Sequence, residues 1–253
     1  MHRVPIRLLL TLLLGLSACA SSTAGSATSR SYERPELERL PLETLSVWVV
    51  ASPPVEDEGA LDDIDAFDPP RLDEPLSPPR VDPLTQRALL DRIRAWGRER
   101  GFDVKPAPAP TARPTLRELL GAAETDGVLI VRVVPVDRFT VFEKSGEQQI
   151  IDTGDPATQM LTTAEAAEDR FGRLLVGQAF LYEPSSRVRV WSRQIPDFPQ
   201  SGRLTPDDPF LRYGYVADDV DEVMDPTRKA QRAAEAFVPA MLATFPSPQP
   251  GDP

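Results

Sequence analysis

The sequence predicts one small α/β (α+β) domain, in which three helices cover a mixed sheet of about four to five strands. Three observations support this fold class. Apolar residues recur at helical spacing over 83–100. Residues 127–134 are apolar almost throughout, and two strand-like runs near 173–195 flank a short turn, which predicts an antiparallel hairpin. The 253 residues suffice for one domain of this kind with tails.

The first half of the domain is predicted to alternate strands with helices. Residues 45–50 are rich in β-branched and aromatic side chains, which predicts the first strand. Asp82 is followed by Pro83, and this pair is typical of a helix N-terminus. It predicts a helix over 83–100. Its apolar face recurs at Leu89, Ile93 and Trp96. Gly101 is expected to end this helix, and residues 102–105 predict a short strand.

A second helix and a buried strand follow. Thr115 predicts the N-cap of a helix over 116–124. The apolar run over 127–134 is typical of a strand that is covered on both faces. Residues 143–171 are polar, and we interpret them as a surface excursion.

The last predicted helix closes the domain. Asp225, again with a following proline, predicts its N-cap, and Pro239 is expected to kink it. Its buried stripe is predicted at Ala230, Ala234, Phe237, Met241 and Phe245. The domain is therefore placed at 45–245, with a disordered tail over 246–253.

The N-terminal residues carry the clearest indication of location. Basic residues precede an apolar run over 8–16, which is too short to span a bilayer and predicts a signal peptide over 1–18. Residues 16–19 read Leu-Ser-Ala-Cys, which resembles the lipobox of bacterial lipoproteins. The resemblance implies that Cys19 is acylated, becomes the first residue of the mature chain and holds it on a bilayer. Ala20 in place of aspartate favours the outer membrane by the same resemblance.

Two further segments are interpreted from composition. Residues 19–44 begin with small polar side chains and are expected to form a lipidated, flexible tether. The stretch 51–82 is rich in proline and acids, and it is interpreted as a solvated loop. The alternative is a calcium-binding or partner-binding loop, although its spacing does not match an EF-hand.

The residue inventory excludes several kinds of chemistry. The chain has one histidine, His2, which lies in the predicted signal peptide, and one cysteine, Cys19, which the lipid would consume. The mature chain would then lack the groups for Ser-His-Asp or Cys-His catalysis and for zinc, haem or iron–sulfur binding. We therefore predict no enzyme activity, no catalytic residue, no metal and no cofactor. The net charge of −11 also argues against nucleic acid as a partner.

One class of enzyme remains as an alternative. A carboxylate-based peptidoglycan hydrolase needs only two acids at a suitable separation. The candidates for such a pair are Asp126 and Asp137, or members of the acidic run Asp218, Asp219, Asp221 and Glu222.

The second strand of the predicted hairpin carries a candidate partner-binding surface. Alternation places Arg187, Arg189, Trp191 and Arg193 on one common face. Arginines beside a tryptophan suit a glycan or an acidic partner. The alternative is a solvated outer face, on which the arginine stems cover apolar surface.

Four sequence features together resemble a group of small outer-membrane lipoproteins: Cys19, the helix end at 96–101, and the motifs at 123–130 and 182–191. The group includes activators of penicillin-binding proteins, the curli-secretion lipoprotein and a neisserial surface-antigen lipoprotein. The resemblance implies a non-enzymatic protein that faces the periplasm and binds and regulates or assembles an envelope complex, in peptidoglycan synthesis or secretion. The alternative is a homo-oligomeric secretion or coat component. The expected partners are the lipid bilayer and either an envelope protein or a second copy of the chain.

Overall fold

The computed structural model describes residues 31–35, 37, 40–55, 69–77, 80–151, 160–195, 209–217 and 225–248. Within these ranges, three α-helices pack on one mixed sheet, which confirms the predicted fold class, although the sheet has seven strands and not the predicted four to five. The strands are β1 Ser31–Glu33, β2 Thr44–Ala51, β3 Asp103–Pro106, β4 Gly127–Ile151, β5 Met160–Glu183, β6 Val188–Ile195 and β7 Gly214–Val216. The helices are α1 Pro83–Arg100, α2 Leu116–Ala122 and α3 Pro226–Met241, and a 3₁₀-helix spans Pro209–Tyr213.

The sheet has a parallel half and an antiparallel half. Its strand order is β1-β6-β5-β4-β2-β3, and β7 pairs with β5 beside this path. Strands β3, β2 and β4 are parallel, and α1 and α2 are the crossover connections between them. Strands β4, β5, β6 and β1 are antiparallel.

The two faces of the sheet have separate apolar clusters. Helices α1 and α3 cover one face, which we call the two-helix face; its cluster includes Leu129 and Leu181 of the central strands. The other face, which we call the α2 face, carries Ile130 and Phe180 beneath α2. Since neighbouring residues of a strand point to opposite faces, the apolar run of β4 is explained by burial on both sides.

The predicted helix starts are confirmed by their capping bonds. Asp82 Oδ1 accepts from the backbone N–H groups of Leu84 at 3.1 Å and Thr85 at 3.4 Å. Thr115 forms a capping box with Glu118, and Asp225 accepts from the backbone N–H of Thr227 at 2.9 Å. Gly101 ends α1 with a φ of 87°, the left-handed conformation that favours glycine.

The predicted tether over 19–44 ends earlier than expected. Residues 31–33 form β1, which pairs with β6, and Leu37 and Leu42 are buried in the cluster of the two-helix face. The short strand was missed because three residues carry too little alternation to be seen in a sequence. Residues 1–30, including Cys19, lie outside the described residues.

The polar stretch over 143–171, which the sequence predicts to be a surface excursion, contains paired residues of two strands. Strand β4 continues to Ile151 and β5 begins at Met160, and their backbones pair from Arg138 with Phe171 to Ile151 with Met160. Backbone pairing of this kind does not require the apolar pattern by which strands are recognised. The sheet therefore extends into a long two-stranded ribbon.

The acidic loop and the tail are described in part. Of the stretch 51–82, residues 69–77 lie against the α2 face, where Leu72 and Leu76 join the cluster around α2. Residues 56–68 lie outside the described residues, as do 249–253 of the predicted tail.

Candidate functional site

A β-bulge divides the four residues that were predicted to share one face. Leu181 of β5 pairs with Trp191, but the next residue, Tyr182, pairs with Arg189, so Val190 is the extra residue. Directly paired residues lie on the same face of a sheet. Trp191 therefore faces α1 and α3, and Arg189 faces the α2 side. The prediction of one common face is wrong.

Trp191 and Arg193 belong to the two-helix face. The Trp191 side chain is fully buried, with its ring edge-on to Phe245 at a centroid distance of 5.1 Å. Arg193 is half-buried and donates to Thr244 Oγ1 at 3.4 Å. Burial lowers the pKa of Arg193. Trp191 is part of the core and has no surface with which to meet a partner.

Arg187 lies in the turn between β5 and β6. It is exposed and adopts a φ of 57°, the left-handed conformation of a tight turn. It lines an open cleft of about 510 Å³ at the end of the sheet. The other walls include Leu120 of α2, Asp126 and Pro184. Arg187 is therefore accessible, but it stands apart from Arg189.

Arg189 belongs to a cluster on the α2 side of the sheet edge. Its guanidinium lies over the ring of Tyr32, with its central carbon 4.8 Å from the ring centroid. Arg34 Nε donates to the Tyr32 hydroxyl at 2.7 Å. Tyr32 remains 38% exposed, and Arg34 is exposed as well. We call Tyr32, Arg34 and Arg189 the Tyr32 surface.

The Tyr32 surface borders a buried tyrosine. Tyr182 pairs with Arg189 and is only 5% exposed. Burial raises the pKa of Tyr182 to about 12, although the charges of Arg189 and Arg132 oppose the shift. The phenol is therefore neutral at physiological pH.

The Tyr32 surface brings two arginines, Arg34 and Arg189, to the tyrosine ring. Register places Ser192 and Gln194 on the same side of β6 as Arg189, and it places Glu33 on the opposite side, with Trp191. Among the described residues of β1 and β6, this side holds no Asp or Glu. Sequence reasoning missed the cluster because Tyr32 was assigned to the tether and because the bulge cannot be seen in the alternation of β6.

The carboxylate pair proposed from the central strand is not formed. Asp126 precedes β4 and Asp137 lies eleven positions further along the same chain. An extended strand of that length places them about 30 Å apart, whereas glycosidase carboxyls are within about 10 Å of each other. The other candidates, Asp218, Asp219, Asp221 and Glu222, lie outside the described residues.

Asp126 ties the start of β4 to the start of β2. Its Oδ2 accepts from the backbone N–H groups of Thr44 at 2.7 Å and Glu43 at 3.0 Å, and from the Thr44 hydroxyl at 2.8 Å. Burial raises the pKa of Asp126, but these hydrogen bonds together outweigh it and hold the pKa below its ordinary value.

We predict that Asp126→Asn destabilises the protein most at neutral pH. A folded pKa below the unfolded one stabilises the fold above the unfolded value of about 4, and this contribution disappears as the pH falls through the folded pKa. The variant should lose about 1 kcal/mol at pH 7, and the difference should shrink in acid. Urea unfolding of both proteins across this pH range measures it. Asp91→Asn on α1 controls for removal of an exposed charge, and a difference that is constant with pH would contradict the assignment.

A buried ion-pair network lies where α1, α3 and the sheet meet. Arg173 of β5 is 5% exposed. Its Nη1 donates to Asp82 Oδ2 at 2.8 Å and to Thr85 Oγ1 at 2.7 Å. Its Nε and Nη2 donate to the two carboxylate oxygens of Asp137, each at 2.9 Å. Lys229 of α3 lies 3.3 Å from Asp137 Oδ2.

The network holds elements together rather than presenting a site. Burial lowers the pKa of Arg173, but the hydrogen bonds and charges of Asp137 and Asp82 outweigh it and place the pKa above its ordinary value. Every polar atom of the guanidinium has a protein partner. The sequence showed Asp82 as a helix cap, and nothing in its spacing indicated the bond to Arg173.

A groove of about 480 Å³ runs between α1 and α3, lined by charged and small side chains. In the part of the chain that the structure describes, no group of three or more His, Cys, Asp or Glu residues is placed to hold a metal ion. In that same part, none of the helices has the length and hydropathy needed to cross a membrane.

No protein-family model matches the chain, and no curated protein is similar to it. Two similar solved structures are chains of PelC dodecamers from Paraburkholderia phytofirmans. The first, a variant, is 16% identical, with 67% of this chain and 79% of that chain covered and a TM-score of 0.30. The second is 17% identical, with 66% and 77% covered and a TM-score of 0.29.

Proposed function

We propose that this protein is a lipid-anchored, non-enzymatic envelope protein that binds and regulates or assembles an envelope complex. In this proposal, acylated Cys19 holds the domain on the outer membrane, facing the periplasm. The observation that carries the proposal is the lipobox-like sequence at 16–19, which contains the only cysteine of the chain. Cys19 directly follows the predicted signal peptide over 1–18, as the resemblance to bacterial lipoproteins requires.

The position of the domain supports an anchoring role. The first described strand begins at Ser31, so eleven residues separate it from Cys19. A chain of that length reaches at most about 40 Å when fully extended. An acylated Cys19 would therefore keep the domain close to the bilayer, where envelope machines assemble.

The placement of the ionisable residues supports a binding role over a catalytic one. Asp137 accepts hydrogen bonds from Arg173, and Asp126 accepts them from the start of β2, so both carboxylates stabilise the fold. Of the four residues that the sequence predicts to bind a partner, Arg187 and Arg189 are accessible. Arg187 lies in the turn between β5 and β6, and Arg189 lies on the Tyr32 surface. Both suit recognition of an acidic group on a partner.

In-cell crosslinking of the full-length, tagged protein, followed by mass spectrometry, tests the proposal. We expect a discrete protein of peptidoglycan synthesis or secretion among the adducts. The variant Arg187→Glu should reduce its capture, whereas Arg98→Glu, on the exposed part of α1, should not. Absence of any envelope protein above background would contradict the proposal. A ladder of self-adducts alone would favour the homo-oligomeric alternative.

A further inference from the structure

We propose that the groove between α1 and α3, which we call the α1–α3 groove, binds a second copy of the chain, so that the protein forms a symmetric homodimer. In this dimer the two grooves pack against each other about a twofold axis, and each contact occurs twice. The inference goes beyond the proposed function, because it requires neither acylation of Cys19 nor a different protein as partner.

The two walls of the groove are parallel helices. Asp82, the N-cap of α1, binds Arg173 of the buried network, and Lys229 in the first turn of α3 binds Asp137 of the same network. Both helices therefore start at the same end of the groove. Four of the lining residues mark its corners: Arg87 and Thr227 near the starts of the helices, and Ala95 and Glu235 nearer their ends.

Opposite charges occupy two diagonally opposite corners. Arg87 is the fifth residue of α1 and Glu235 is the tenth of α3, which offsets them by about 8 Å along the helices. Both side chains are exposed, and neither forms a hydrogen bond or an ion pair with any described residue. A twofold axis that lies in the interface, at right angles to the line between them, places Arg87 of each copy over Glu235 of the other. The dimer therefore gains two reciprocal ion pairs.

The other two corners lie along this axis. A side chain at a twofold axis meets its own copy, so a charged group would repel itself there and a large group would clash. Ala95 and Thr227, which occupy these corners, are small and uncharged. The four corners therefore fit the contact of two identical grooves, with opposite charges where different residues meet and small neutral side chains where a residue meets its own copy.

The charge and the size of the groove indicate a weak dimer. The net charge of −11 makes two copies repel each other on average, but the groove is lined by two basic and two acidic residues and is neutral. Two helices about 25 Å long, side by side, present about 500 Å² per copy, which is at the lower limit for a specific interface. Leu84, which is 39% exposed, adds apolar area. We expect a dissociation constant in the micromolar range.

Sedimentation velocity of the unacylated mature chain tests the inference. The protein is residues 19–253 with Cys19→Ser, which contains every residue that the structure describes. We expect a monomer at low protein concentration that converts to a dimer, and to no larger species, as the concentration rises at constant salt. Circular dichroism and thermal melting verify that each variant is folded.

Charge reversal at the diagonal corners identifies the interface. Arg87→Glu or Glu235→Arg alone replaces an attraction with a repulsion at two places in the dimer, so the dissociation constant should rise about 30-fold. The double variant Arg87→Glu/Glu235→Arg reverses both partners and should return the constant to within about three-fold of its original value. The matched controls Arg71→Glu and Glu74→Arg make the same changes at exposed positions on the α2 side of the sheet, and they should change it by less than about two-fold.

An engineered cysteine tests the position of the axis. Cys19 is the only cysteine of the chain, so the Cys19→Ser protein contains none. Thr227→Cys then places one thiol of each copy near the axis, where the Cα atoms come within the roughly 7 Å that a disulfide allows. Mild oxidation should link two copies through this position. Arg71→Cys, an exposed position on the other side of the sheet, should remain monomeric.

Several results would overturn the inference: a monomer at every concentration, an assembly larger than a dimer, single reversals that act no more strongly than their controls, or a double variant that does not recover. Crosslinking of Thr227→Cys no faster than that of Arg71→Cys would overturn it as well. Because the chain in these experiments carries neither lipid nor partner, failure here leaves the proposed function intact. Failure of Cys19 acylation in cells would likewise leave the dimer intact.

Discussion

Arg173→Met is expected to lower the free energy of unfolding by about 3–5 kcal/mol, because it leaves the buried Asp82 without its counter-charge and leaves the half-buried Asp137 with Lys229 alone. Methionine retains most of the apolar stem, so the loss reports the charge and its hydrogen bonds more than the volume. Urea or thermal unfolding of the full chain measures the loss.

The control for Arg173→Met is Arg98→Met, which removes an exposed arginine from the end of α1 and should cost less than about 1 kcal/mol. A double-mutant cycle with Asp82→Asn isolates the bond between α1 and β5. If the two losses simply add, or if Arg173→Met costs no more than the control, the network does not hold the helices to the sheet.

Trp191→Ala is expected to cost about 3–5 kcal/mol, because it empties a fully buried position between β6 and the C-terminal aromatic residues. Phe245 loses its edge contact with Trp191, and it also contacts Trp96 and Phe102 at centroid distances of 5.4 and 5.7 Å. Chemical denaturation of the variant measures the effect.

Two further variants serve as controls for the Trp191→Ala prediction. Trp191→Phe keeps an aromatic ring against Phe245 and should lose much less stability. Tyr32→Ala, at an exposed position of the sheet edge, should cost little stability because its ring is not in the core. If Trp191→Ala left stability unchanged but abolished capture of a partner, the surface role first predicted from the sequence would be right and the buried placement wrong.

Local features of the fold were predictable because they depend on neighbouring residues. Asp82, Thr115 and Asp225 begin helices through bonds to backbone groups two or three positions away, so the pattern is visible in the sequence. The apolar run of β4 was predicted for the same reason, since burial on both faces requires apolar residues at successive positions.

The candidate site was not predictable, because it depends on contacts between distant parts of the chain. One extra residue, Val190, turns Arg189 away from Trp191, and a bulge leaves no mark in the alternation of residues. The pairing of Tyr32 with β6 joins segments about 160 positions apart. Arg173 and Asp82 are 91 positions apart and meet only when α1 packs on the sheet.

The anchor is the central claim, and intact-mass spectrometry of the protein purified from cell membranes tests it most directly. The account predicts a mature chain that begins at Cys19 and carries the added mass of three acyl chains and a glyceryl group, in the outer-membrane fraction. A chain that begins at another residue, or one with a free Cys19 thiol in the soluble fraction, would contradict it.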